Sequence, residues 1–149
     1  MIGIGLCLVL IVGLLAFVFV LRTATVDYPI LGTWHEDMRL NCDTNEWFVP
    51  VDSETLIGEV RLRNDGIFDV TWHPFETYVD YAGDFSYDDK LDTLILQARS
   101  VNYLPNDFDG DGTASIDDSG RLVLEGIYLG TSRFGGDGQL ACGHVFSPR

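Results

Sequence analysis

Between Asn106 and Arg121 the chain places aspartates at alternate positions, Asp107, Asp109 and Asp111, and follows them with Gly112, Thr113, Ser115 and Asp118. That order matches a calcium loop, in which alternate residues point oxygens at one centre and a glycine permits the sharp turn. Thr113 would offer its backbone carbonyl, Ser115 a side-chain oxygen, and Asp118 the closing carboxylate. Glutamate is usual at the closing position, and aspartate reaches less far. Pro105 interrupts any incoming helix and Arg121 onward reads as a strand, so the pattern predicts a stand-alone Ca2+ loop between strands. The competing reading is an acidic hairpin loop, since Asp and Gly favour turns for purely local reasons.

Elsewhere the chemistry-bearing residues are dispersed. His35, His73 and His144 are far apart in the chain. His35, Glu36 and Asp37 are consecutive, and successive side chains on a strand alternate between faces, so the three cannot converge on one metal. They read as surface polarity. No Gly-x-Ser-x-Gly, phosphate-binding glycine loop or Cys-x-x-Cys is present, and Gly135-Gly136-Asp137-Gly138 reads as a flexible turn. With 23 Asp and Glu among 149 residues, paired carboxylates are unavoidable and carry no information. The expectation is a protein without enzymatic activity.

Those 23 acids face only 9 Lys and Arg, for a net charge of −14. Such a balance excludes nucleic acid and anionic headgroups as partners, and fits a solvated face, a basic partner or cation binding. The charges are unevenly placed. Residues 1–21 carry none, and at about 1.5 Å per residue an apolar helix of this length spans a bilayer core of about 30 Å. A cleaved signal peptide fits less well: no basic residue precedes the apolar run, the run is long, and Arg22 lies where cleavage after Ala24 would want a small residue. Cys7 lies too early for a lipid-attachment cysteine. Residues 1–21 are therefore expected to be a retained transmembrane helix, 22–29 a juxtamembrane linker, and 30–149 a single domain with a core of its own.

Two signals disagree on which side of the membrane that domain lies. Arg22 and Arg39 follow the apolar run, which weakly favours the cytoplasm. Cys42 and Cys142, the two cysteines beyond the run, lie near the two ends of the domain and read as a disulfide, which requires an oxidising compartment. The disulfide reading places the domain in the bacterial periplasm, with the anchor in the inner membrane. No Asn-x-Ser/Thr sequon points to a glycosylated ectodomain.

Within the domain the apolar period is two. Val60 and Leu62 alternate with Glu59, Arg61 and Arg63, and Asn64-Asp65-Gly66 marks a tight hairpin before Phe68, Val70 and Trp72. Further runs are expected at Leu31–Trp34, near Trp47, at Phe75–Tyr81, at Phe85–Tyr87, at Leu91–Gln97, at Arg121–Leu129 after the Asp118-Ser119-Gly120 turn, and at Gln139–Phe146. Seven or eight short strands imply a mainly β sandwich or a closed antiparallel barrel. The barrel is preferred, because closure sets the first and last strands side by side and brings Cys42 to Cys142. Trp72, Phe75, Tyr78, Tyr81, Phe85 and Tyr87 crowd into one stretch, half of them expected in the core and the rest on a contact face.

Gly32-Thr33-Trp34 at the entry to the first strand resembles the Gly-x-Trp motif of the lipocalins. In that family an arginine late in the chain packs over the tryptophan and closes one end of the barrel, and Arg133 is the residue that matches here. The resemblance implies a lipocalin-like barrel with room for a small apolar ligand. The chain departs from that family in its N-terminal apolar segment and in its shorter domain.

These readings converge on a single-pass membrane protein whose Gly3, Gly5 and Gly13 allow close packing against neighbouring helices. The leading expectation is an accessory subunit among the integral membrane proteins of a respiratory or photosynthetic complex. A lipocalin-like binding module and a calcium-binding surface domain are the alternatives.

Overall fold

A computed structural model of the chain describes residues 27–50, 56–73, 78–130 and 141–149. The expected transmembrane helix and most of the linker lie outside them. Nine strands form: β1 (Gly32–Asn41), β2 (Trp47–Phe48), β3 (Ile57–Leu62), β4 (Ile67–Trp72), β5 (Tyr81–Asp88), β6 (Thr93–Ser100), β7 (Asp111–Ile116), β8 (Leu122–Glu125) and β9 (Ala141–Pro148). All pairings are antiparallel. The order runs β1-β3-β4-β5-β6-β7-β8-β9, and β1 pairs with β9 to close an eight-stranded barrel, while β2 flanks the far end of β1. Every barrel strand thus lies beside its chain neighbours once β2 is set aside, and the β1–β9 pairing closes the sheet on itself. Such a barrel is compatible with the lipocalin-like expectation.

Alternation explains the strands. On β3 and β4, Val60, Leu62, Phe68 and Val70 turn inward and are buried. On the outer face of the same hairpin, Arg61 Nε donates to Asp69 Oδ1 at 2.7 Å. The hairpin turns at Asn64-Asp65-Gly66, where Gly66 takes φ +79°, a left-handed conformation that a side chain would strain. Gly83 on β5 answers a different need. A Cβ there would meet the Gln97 carbonyl oxygen at 2.0 Å and Phe68 Cε1 at 2.9 Å, so only glycine lets β5 pass this close to its neighbours.

Among the described residues, large apolar side chains pack the interior. Phe68, Tyr81, Leu94, Leu122, Leu124 and Phe146 are fully buried. Tyr81 packs edge-on against Phe68 and Phe108, with ring centres 6.3 Å and 5.5 Å away. Of the crowded aromatics, Trp72, Tyr81 and Tyr87 are buried and Tyr78 is exposed, while Phe75 lies outside the described residues.

Boundaries differ from the sequence expectation where tertiary pairing overrides local pattern. The first strand extends to Asn41, and β8 ends at Glu125 instead of Leu129. The aspartate-rich segment holds a strand in place of an open loop. Asp111–Ile116 pairs with β6 and β8, because its small residues Gly112 and Ala114 face the packed interior.

Candidate functional site

β1 carries Trp34 and Glu36 inward by ordinary alternation, which should turn Arg39 outward. A β-bulge prevents this. The pairing with β9 shifts between Glu36↔Phe146 and Met38↔Val145, leaving Asp37 as the extra residue. Asp37 Oδ2 accepts from the Ser147 hydroxyl. The bulge puts Glu36 and Arg39 on the same, inner side of the barrel, where both are buried.

Arg39 approaches the Glu36 carboxylate through two nitrogens, Nε to Oε1 at 2.8 Å and Nη2 to Oε2 at 2.7 Å. His144 of β9 is fully buried, and its Nδ1 lies 2.6 Å from Oε1. The Ile57 backbone N–H, at the start of β3, donates to Oε2 at 2.8 Å. The Leu129 N–H makes a longer contact of 3.4 Å to His144 Nε2. Burial by itself raises the Glu36 pKa, but the hydrogen bonds and charges of Arg39 and His144 outweigh it and hold the carboxyl down at about 2. Tyr81 extends the polar lining: its hydroxyl donates to the Leu129 carbonyl at 2.6 Å, and burial first, then nearby carboxylates, push the phenol well up.

This cluster has the residue types of an acid–base dyad, and its hydrogen-bonding groups are turned on one another and on the backbone. Each Glu36 oxygen already accepts two hydrogen bonds, and both ring nitrogens of His144 are engaged. Its physical effect is to join β1, β3 and β9 at the seam that closes the barrel. The reading of His35-Glu36-Asp37 as surface polarity is thus corrected at Glu36. The bulge and the partner on β9, both invisible in the local sequence, take it inside.

At one end of the seam Cys42 and Cys142 form the expected disulfide, with Cα atoms 5.1 Å apart. A second register shift, between Leu40↔Gly143 and Asn41↔Ala141, leaves Cys142 as the extra residue on β9, beside Cys42. Trp34 is buried near the other end, and its Nε1 donates to the Ile30 carbonyl at 3.0 Å. Arg133, its expected partner, lies outside the described residues.

The aspartate-rich residues are spread out along the chain's path. Asp109 bridges to Tyr128, and Asp111, Thr113 and Ser115 lie on the outer, exposed face of β7. Asp107 and Asp118 are exposed beyond the two ends of the strand. Among the described residues no three His, Cys, Asp or Glu side chains gather as a metal cluster. Asp117, unnoticed in the sequence pattern, caps the turn before β8: its Oδ1 accepts from the Ser119 and Arg121 N–H groups and its Oδ2 from Arg121 Nε. Those backbone hydrogen bonds, Arg121's first, lower its pKa.

A concave surface opens at the end of the barrel where the chain enters β1. It is a cleft of about 380 Å³ between the entry segment, the β3–β4 turn and β5. Tyr28 meets Tyr87 edge-to-face, with ring centres 5.2 Å apart. The Tyr87 hydroxyl donates to Asp92 Oδ1 at 3.1 Å, and burial with that contact pushes the phenol up to about 12. The Phe85 N–H donates to the Gly66 carbonyl at 2.8 Å and pins the turn to β5. A second hollow of about 140 Å³ lies along β5 and β6, lined by Asp84, Phe85, Ser86, Ile95 and Gln97.

No protein-family model, curated protein or solved structure matches the chain.

Proposed function

We propose that the chain is a non-catalytic accessory subunit of a bacterial membrane complex of respiratory or photosynthetic type. Residues 1–21 anchor it in the inner membrane as one helix, and the periplasmic barrel docks on the outer surface of the assembly. The observation that carries this reading is the packed core of the described residues. Fully buried side chains occupy the barrel core, and the buried Glu36–Arg39–His144 cluster is hydrogen-bonded internally and to the Ile57 and Leu129 N–H groups. Function is then left to the outer surface and the tether. A lipocalin-like carrier would need an internal cavity in place of those side chains.

Other features support the reading. The Cys42–Cys142 disulfide suits an oxidising compartment. At the end of the barrel remote from the chain's entry, exposed Val49, Tyr78 and Val101 project from the segments after β2, before β5 and after β6. Isolated apolar residues are ordinary on surfaces. Three around one rim, turned away from the anchor, suit contact with a larger partner.

Purification of the full chain from membranes in mild detergent tests the proposal. Co-migration with a defined set of membrane proteins in fixed stoichiometry is the expected result. A lone monomer carrying a bound lipid or pigment overturns it, as does a freely dissolved mature chain beginning near Thr25.

A further inference from the structure

The two ends of the barrel differ in charge. The β3–β4, β5–β6 and β7–β8 turns lie at the end where the chain enters β1, and each carries a base: Arg63, Lys90 and Arg121. Beside Lys90, Leu91 projects from its turn and is 70% exposed. At the opposite end, the described loop residues include exposed Asp43, Glu46, Asp107 and Asp109 and no Lys or Arg.

The entry end is also the end that the tether holds. The seven residues from Leu21, where the apolar run stops, to Tyr28 reach at most about 25 Å when fully extended. A headgroup layer is itself about 5–8 Å deep. With residues 1–21 in the bilayer, the three turns are therefore kept close to the lipid surface, and the cleft beside Tyr28 opens among them. Tyr28, Leu31 and the inward-facing Phe85 and Tyr87 of β5 form its apolar wall. Tyrosine, apolar along the ring and polar at its tip, suits the depth of lipid headgroups.

The cleft's polar rim is Ser86 and the turn from Arg63 to Gly66. Arg63 Nε and Nη2 lie 3.3 Å and 3.1 Å from the two Asp65 oxygens, and the two side chains are 46% and 54% exposed. The rim thus presents a positive and a negative group side by side, both open to solvent. A phosphoethanolamine headgroup carries the same two charges in complementary order. Its phosphate can accept from Arg63 and the Asn64 amide, and its ammonium can donate to Asp65 and the Ser86 hydroxyl. Such charge-assisted hydrogen bonds are about twice as strong as neutral ones. The headgroup has no net charge, so it avoids the repulsion that a chain of net charge −14 meets at anionic lipid. We propose that the entry end of the barrel rests on the bilayer, with Leu91 at the lipid boundary, and that the cleft beside Tyr28 holds the headgroup of a phosphatidylethanolamine. This inference rests on the membrane tether of the reading above.

Amide NMR of the isotope-labelled full chain in lipid nanodiscs tests it. The discs contain phosphatidylcholine alone, or have half of it replaced by phosphatidylethanolamine or by phosphatidylglycerol. Expected are shifts at Asn64, Gly66 and Ser86 on adding phosphatidylethanolamine that exceed those on adding phosphatidylglycerol. The paired change Arg63→Gln, Asp65→Asn lies on an exposed turn. It should reduce the Gly66 and Ser86 shifts at least about threefold and leave the amides of β8 and β9 in place. A headgroup-attached nitroxide should broaden Gly66 and Leu91 and leave Val49 and Val101 sharp. Equal spectra in the three discs overturn the proposal, as does a larger response to phosphatidylglycerol. So do full shifts in the paired variant, or broadening at Val49 and Val101 in place of Leu91. A chain that elutes free of the discs refutes the tether and this inference with it, whereas one that inserts without the shifts refutes this inference alone.

Discussion

Glu36 and His144, separated by 108 residues in the chain, lie 2.6 Å apart inside the barrel, across the seam where β1 meets β9. Arg39 and the Ile57 N–H complete the carboxylate's shell. A closed barrel exists only while its first and last strands stay paired, so this contact acts at the point where opening would begin.

Removing the carboxylate should therefore cost far more than an ordinary surface change. Glu36→Ala removes the carboxylate that Arg39 holds through two nitrogens and the acceptor of the Ile57 N–H. The expected loss is about 3–5 kcal/mol, read as a lower urea midpoint with an unchanged slope. A loss under about 1 kcal/mol would show that the cluster does not hold the seam.

Acid should act through the same group. The Glu36 pKa is lowered in the folded state, from 4.5 to about 2, despite the opposing effect of burial. A lowered folded-state pKa means that the unfolded chain binds the proton more readily. The stabilisation is complete above about pH 4.5 and is lost as pH falls toward 2. Melting temperatures measured from pH 6 down to pH 2 should fall most steeply in that interval. Glu36→Gln should flatten the descent, and an unaltered acid limb in that variant would assign the effect elsewhere.

The Cys42–Cys142 disulfide closes a sequence separation of 100 residues and ties the same two strands. Chain-entropy reasoning gives a stabilisation of up to about 4–5 kcal/mol for a loop of this length. Reduction, or the Cys42→Ser, Cys142→Ser pair, should lower the melting temperature sharply. Equal melting in oxidised and reduced samples would remove the seam from the account of stability.

Two tryptophans offer an internal comparison. Trp34 Nε1 donates to the Ile30 carbonyl, whereas Trp72 Nε1 is buried with no hydrogen-bond partner among the described residues, the ring centre lying 5.8 Å from the Arg39 guanidinium carbon. Trp34→Phe orphans a buried carbonyl, while Trp72→Phe removes an orphaned donor. The first should cost about 1 kcal/mol more than the second in denaturant titration. The reverse order would contradict these hydrogen-bond assignments.

Much of this architecture was legible from local pattern. Alternation of Val60 and Leu62 with charged neighbours, and the Asn64-Asp65-Gly66 turn, mark the β3–β4 hairpin because side-chain facing and positive φ are decided within a few residues. The cysteine positions anticipated which strands would meet. The aspartate-rich segment reads both ways because calcium loops and short acidic strands share composition. What separates them is whether neighbouring strands accept Gly112 and Ala114, and nothing in the segment itself records that.

The sequence by itself determined a period-two, mainly β domain behind an apolar stretch, with two cysteines placed to join its ends. Tertiary structure alone decided that Glu36, Arg39 and His144 share the interior, through a bulge at Asp37 that reverses the facing of everything after it on β1. It alone brought Tyr28, the β3–β4 turn and Phe85 around one cleft. The physical reason is range. Turns and alternation depend on adjacent residues, whereas a buried charge cluster and a concave surface depend on which strands pair and in what register, and that is settled only when the whole barrel closes.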